Sequence, residues 1–291
     1  MKSETFIGVD IGTSRIKAAE VQVNDAGSEI VALKECPTPA GQDDDLVLAI
    51  KEMVHPRTRG VITCIGEGDL ILRVVQFPQL KKKELEAAVR HEMERLLPSP
   101  EKMIIRHVPL GAAQPGQAQE LLLLAVQEDT VYRSYKLFSQ AGVLLTAIDL
   151  SAFALWRLFG RDTRDSRVII DCGAKFTTIV IVNKGVIRMI RSISAGGDLL
   201  QKTSDNFTAL SAIAGEIHRL LVHYSNLEEV CLEKVVMTGG NSKPEGLLDY
   251  LQDLFEVPVE QGRVVIPELQ HKEIDPSFAV AVGLAIREVI R

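Results

Sequence analysis

The spacing of apolar and polar positions changes along the chain, and each change marks an element. Thr5–Asp10, Arg15–Val23 and Glu29–Pro37 read as strands separated by turn residues at Gly12-Thr13-Ser14 and Asn24-Asp25-Ala26-Gly27-Ser28, which predicts an antiparallel meander. Asp43-Asp44-Asp45 then caps a helical pattern over Leu46–Val54, where acidic residues suit the positive end of the helix dipole. Val61–Ile65 reads as a buried strand. Strand Leu70–Phe77 leads into an amphipathic helix over Lys82–Leu97, with Leu85, Ala88, Val89, Met93, Leu96 and Leu97 at helical spacing and Pro98 and Pro100 ending it. Strands Met103–Leu110 and Glu120–Gln127 and a helix over Asp129–Gln140, stopped by Gly142, complete an α+β module inserted into the first domain. The run Leu121–Val126 reads as a core strand or as an edge that receives a partner peptide.

The second half restarts the opening theme. Val168–Gly173 is a strand ending in Asp-x-Gly, and Thr177–Val182 and Val186–Ser194 are strands joined by the turn Asn183-Lys184-Gly185. A strand, an Asp-x-Gly turn and a hairpin therefore occur twice, at Val9-Asp10-Ile11-Gly12-Thr13 and at Ile170-Asp171-Cys172-Gly173-Ala174. This repeat predicts a duplicated β-sheet domain with a cleft between the copies. Helices follow over Asp198–Asn206, Leu210–Tyr224, Pro244–Phe255 and Phe278–Ile290, and strand Lys234–Met237 runs into Gly239-Gly240.

The 291 residues are 46% apolar and 25% charged, which excludes wholesale disorder. With 33 basic against 39 acidic residues the net charge is −6, which argues against a general nucleic-acid binder. No apolar stretch reaches the roughly 18 residues of a membrane span. The first strand begins too close to Met1 for a signal peptide, so a cytosolic protein is expected. Cys36, Cys64, Cys172 and Cys231 are too dispersed for a zinc site or disulfide framework.

The paired turns carry the candidate chemistry. Glycine lets the backbone of Asp-x-Gly approach a phosphate, and an aspartate at a strand end can orient a hydrated magnesium ion. Two facing turns would clamp a nucleotide's phosphates, with Asp10 and Asp171 serving the magnesium through water. Lys17 is placed to reach a phosphate, and Gly239-Gly240 to let an adenosine lie against the backbone.

The segments Gly8–Lys17, Ile170–Thr178, Gly196-Gly197-Asp198, Thr238-Gly239-Gly240 and Ala281-Val282-Gly283 resemble the motifs of the actin-like ATPase fold (the ASKHA, ribonuclease H-like class of α/β proteins). Phe77-Pro78 before the Lys82–Leu97 helix, Pro98-Ser99-Pro100, Gln127-Glu128-Asp129, and Arg191–Gly197 resemble the PilM family of type IV pilus assembly proteins, itself related to FtsA. The resemblance implies duplicated domains. Residues 1–69, 142–166 and 274–291 would form subdomain 1A, residues 70–141 a 1C-type module, and residues 167–273 the second domain. It implies ATP and Mg binding through Asp10, Gly12, Thr13, Ser14, Lys17, Asp171, Gly173, Ala174, Thr177, Gly196, Gly197, Gly239, Gly240 and Asn241. It also implies a protein peripheral to the inner membrane that binds the N-terminal tail of a PilN-like membrane partner beside the module. Such a scaffold connects that platform to the pilus motor ATPases and supports twitching motility.

The sequence departs from the family in two places. The link from Gly196-Gly197-Asp198 to the helix near Leu210 is short, so the subdomain walling the nucleoside (2B) is expected to be reduced. The segment Asp149-Leu150-Ser151-Ala152-Phe153 offers only Asp149 as a catalytic base, and that residue reads equally as a helix N-cap. Both favour a scaffold with at most weak ATPase activity; an actin-like ATPase or an FtsA-like polymerising protein is the alternative. Lys81-Lys82-Lys83 reads as a solvated basic patch or a contact with anionic lipid.

Overall fold

The structure is a computed structural model that describes residues 4–24, 27–55, 58, 60–66, 70–97, 99–111, 116–198, 211, 214–222, 224, 231–242, 247–264 and 274–289. The predicted helix over Asp198–Asn206, the first turns of those at Leu210 and Pro244, and the shortened 2B link lie largely or wholly outside the described residues.

Strands β1 (Glu4–Ile11), β2 (Arg15–Asn24) and β3 (Gly27–Pro37) form the predicted meander, and β4 (Val61–Ile65) and β8 (Leu145–Leu150) extend it in parallel, in the order β3-β2-β1-β4-β8. The second half builds the same sheet from β9 (Ser166–Cys172), β10 (Thr177–Asn183), β11 (Val186–Ile193), β12 (Lys234–Thr238) and β13 (Val259–Gln261), in the order β11-β10-β9-β12-β13. The central strand of each, β1 or β9, has an antiparallel neighbour on one side and a parallel one on the other. Lys184 and Gly185 between β10 and β11 both have positive φ (49° and 80°), as a tight twisted hairpin requires.

Strand alternation sorts each sheet into two faces, and both faces are covered. Ile7, Val9, Ile16 and Ala18 of the first sheet pack against α1 (Asp43–Met53) and α3 (Glu128–Gln140). Val168, Ile170, Ile179 and Ile181 of the second pack against Ile217 and Leu221 of the helical residues 214–222 and against Leu251 of α5 (Leu247–Phe255). The remaining faces turn toward each other across α4 (Ser151–Phe159) and α6 (Ala279–Ala285), and Ile62, Leu155, Ile169, Val180, Val282 and Leu284 share one core there. A Cβ on Gly8 of β1 would lie 2.0 Å from the Ala281 carbonyl oxygen of α6, so helix backbone rests on strand backbone.

The inserted segment forms a third sheet, β5 (Leu70–Phe77), β7 (Gln119–Gln127) and β6 (Met103–Pro109), ordered β5-β7-β6, with α2 (Lys82–Leu96) on one face. Here the edge reading of Leu121–Val126 is corrected: β7 is the central strand, paired on both sides. Leu121, Leu123 and Ala125 meet Val89 and Met93 of α2, while Leu122 joins the core of the main body. A strand buried on both faces explains the unbroken apolar run.

Several boundaries move. Helix α1 begins at Asp43 with Gln42 as its N-cap, and the Asp45 carboxylate accepts from the Gln42 amide at 3.2 Å. The predicted Phe278–Ile290 helix resolves into a 3₁₀ turn (Pro276–Phe278), α6 and a second 3₁₀ turn (Ile286–Glu288). Strand β13, only three residues long and directly after Pro258, is too short for any periodicity to announce.

Replacing Gly8 with valine is expected to destabilise the fold by about 2 kcal/mol or more, because the added carbons meet backbone that cannot step aside. Urea denaturation checks this against Gly66→Ala, where a Cβ meets nothing within 4 Å and little change is expected.

Candidate functional site

The two Asp-x-Gly turns sit at equivalent places in the two sheets and close in the same way. The Gly12 amide donates to the Arg15 carbonyl at 3.1 Å, and the Gly173 amide to the Phe176 carbonyl at 3.0 Å. Each aspartate heads a row of residues in register across three strands: Asp10, Lys17 and Glu35 in the first sheet, and Asp171, Thr178 and Ser192 in the second. The first row is charged and the second carries hydroxyls.

Both turns open into one cleft of about 780 Å³ between the sheets. That is a volume suited to a small-molecule ligand. Asp10, Gly12, Thr13, Ser14, Lys17, Asp171, Gly173, Ala174, Gly239, Gly240 and Asn241 all line it. A Cβ on Gly240 would lie 3.9 Å from the Lys17 ammonium nitrogen, so this lysine reaches across toward the turn after β12. Gly239 has φ +93°, and a side chain there would press on the Asp171 carboxylate at 2.5 Å. Asn241 lashes the turns together: its Nδ2 donates to the Gly173 carbonyl at 3.0 Å and its amide to the Cys172 carbonyl at 3.1 Å.

Three of the predicted phosphate-binding residues stand outside the lining. Thr177 is fully buried, and its hydroxyl donates to the Ala195 carbonyl at 2.7 Å. Its neighbour Thr178 faces the cleft instead, because one step along a strand switches faces. Gly196 and Gly197 lie behind the second turn, where the Gly197 and Asp198 amides donate to Gly173 and Ala174 at 2.9 and 2.8 Å. They brace the turn that Gly173 and Ala174 present.

Asp149 is not the N-cap of α4, and it does not line the cleft. Leu150 is the N-cap of α4, and the buried Asp149 carboxylate is held by Arg157 at 2.6 Å and Arg287 at 3.3 Å, away from the cleft lining. Among the described residues, Asp10 and Asp171 are the acidic groups of the lining.

Sequence reading missed Thr178, Arg191, Ser192, Ser194, Ser277, Cys64, Leu70 and Leu72, which also line the cleft. Laying the second hairpin on the first would have found Thr178 and Ser192, the in-register partners of Asp171. Nothing local marks Ser277 or Leu70, which arrive from distant segments.

The donor set fits a phosphorylated ligand with a hydrated cation. Among the described residues, the amides of Thr13, Ser14 and Ala174 at the turn tips carry no backbone hydrogen bond, and Lys17 adds a positive charge beside them. Asp10 and Asp171 face this region from opposite sheets. Among the described residues no three His, Cys, Asp or Glu side chains converge to hold a metal directly. A cation here would be held through water and the ligand's own phosphates.

Burial, opposed by a hydrogen bond with Thr177 and aided by the nearby Asp171 charge, pushes the Cys172 thiol up to about 11. A thiol reagent at neutral pH is therefore expected to label the exposed Cys231 and spare Cys172 until the protein unfolds, as peptide mapping would reveal. Asp149→Ala should cost about 3–5 kcal/mol in urea denaturation, because it strands the largely buried Arg157 guanidinium.

A family model described as type IV pilus assembly protein PilM matches residues 8–211. Among solved structures, a PilM-PilN type IV pilus biogenesis complex matches with TM-score 0.85 and 26% identity, over 98% of this chain and 99% of that one. The cytoplasmic domain of EpsL, an inner-membrane component of the Vibrio cholerae type II secretion system, matches with TM-score 0.55 and 11% identity, over 97% and 93% of the two chains. A Bacteroides thetaiotaomicron protein with an actin-like ATPase fold matches with TM-score 0.51 and 12% identity, over 92% and 93%. The curated proteins compared with the chain give no match.

Proposed function

Since the chain belongs to the PilM family of type IV pilus assembly proteins and has the actin-like fold, we propose that it is an adaptor of the pilus inner-membrane platform. In this reading it binds the cytoplasmic N-terminal tail of a PilN-like membrane protein and links that platform to the motor ATPases. The observation that carries the reading is the 26% identical structure, whose fold runs the length of this chain and which was solved as a PilM-PilN complex. No helix among the described residues is long and apolar enough to cross a membrane, which agrees with attachment to the inner membrane through a partner.

ATP with Mg is the ligand we assign to the cleft. The turn-tip amides and Lys17 would take the phosphates, Asp10 and Asp171 would orient the hydrated cation, and Gly240 would leave room for the nucleoside. General-base catalysis needs a base within hydrogen-bond reach of the attacking water. The capture of Asp149 by two arginines supports a bound nucleotide that tunes the scaffold, with slow turnover or none.

A synthetic peptide copying the N-terminal tail of a PilN-like protein from the same genome should bind saturably in fluorescence anisotropy; no binding with or without Mg·ATP would overturn the adaptor reading. Asp10→Ala is expected to weaken Mg·ATP binding at least about tenfold by calorimetry, in line with the loss of a charged contact, while leaving tail binding intact.

A further inference from the structure

We infer that Glu120 is a latch that fixes the inserted module to the second lobe and thereby sets the state of the cleft. The inference rests on the nucleotide reading above and deepens it by naming how that site is regulated.

Glu120 lies near the start of β7, directly opposite Gln76 of β5 in the module sheet. One carboxylate oxygen accepts from Gln76 Nε2 at 3.4 Å, and the other accepts from the guanidinium of Arg188 on β11. Its backbone carbonyl accepts the Leu110 amide at 2.9 Å, which ties down the end of β6. One residue thus joins the strands of the module and fastens them to the edge strand of the other lobe. The ion pair is mostly shielded, with 28% of each side chain exposed, so solvent screens it less than a surface pair.

The same strands form the cleft wall. Leu70 and Leu72 of β5 line the cleft, as do Ile190 and Ser192 of β11. The two strands lie against each other, and Leu72 packs on the core that contains Ile187 and Ile190. This stretch of wall is therefore made of two pieces from different sheets, with Glu120 and Arg188 pinning the join. A partner that shifts the module would move Leu70 and Leu72 and pull on β11. A ligand that closes the lobes would press back on the module along the same path, since coupling between sites is reciprocal.

The test uses the full chain and the variants E120Q, R188Q and the swapped pair E120R/R188E. Hydrogen–deuterium exchange should rise together in residues 70–77 and 186–193 in each single variant and return toward wild type in the swap. Mg·ATP affinity by calorimetry should fall about fivefold or more in each single variant, the lower end of ordinary coupling between sites, and recover in the swap. Unchanged exchange at both strands, or raised exchange with unaltered Mg·ATP affinity, overturns the latch. If the wild-type protein binds no Mg·ATP, the nucleotide reading fails, and the joint exchange behaviour of the two strands alone decides the latch.

Discussion

The first lobe is joined to the helices between the lobes by bare backbone. Helix α6 runs between the two sheets with Gly8 of β1 against its Ala281 carbonyl, and it crosses α4 where a Cβ on Gly283 would lie 2.3 Å from the Ala154 carbonyl. Close-packed interiors transmit a change of a single methylene group. This stack of strand, helix and helix therefore fixes where α4 stands against the first sheet, and α4 in turn meets β9 and β10 of the second. The cleft is what remains of the gap between the sheets where the helices end.

That arrangement gives the duplication its meaning. Either hairpin alone is a common turn. Held face to face, the two present Asp10 and Asp171 to a shared volume, with Lys17 reaching from one sheet toward Gly240 of the other. The copies have also diverged: the row behind Asp10 carries Lys17 and Glu35, while the row behind Asp171 carries Thr178 and Ser192. A phosphorylated ligand would meet Asp10 and Lys17 on one side and Asp171, Arg191 and the Thr178 and Ser192 hydroxyls on the other.

The module departs from the twofold pattern and gives the fold its asymmetry. It has its own small core beneath α2, yet it shares Leu122 with the main body and pairs Glu120 with the opposite lobe. Its strand β5 lies against β11 and supplies Leu70 and Leu72 to the cleft wall, so the module is part of the cleft itself. Asp149 shows the opposite use of charge: packed between Arg157 and Arg287, it braces the junction of β8, α4 and the C-terminal segment.

The sequence by itself determined most of the strand and helix order, the twofold repeat, the module and most residues of the paired turns. These follow from local periodicity and from glycine and aspartate at strand ends, and both signals survive without knowledge of the partners. Only the tertiary structure decided that β7 is central, that Thr178 rather than Thr177 faces the cleft, that Asp149 is an anchor, and that Leu70, Leu72 and Ser277 complete the wall. Each of these depends on which face of an element meets a segment far away in the chain, and spacing along the chain carries no record of that contact.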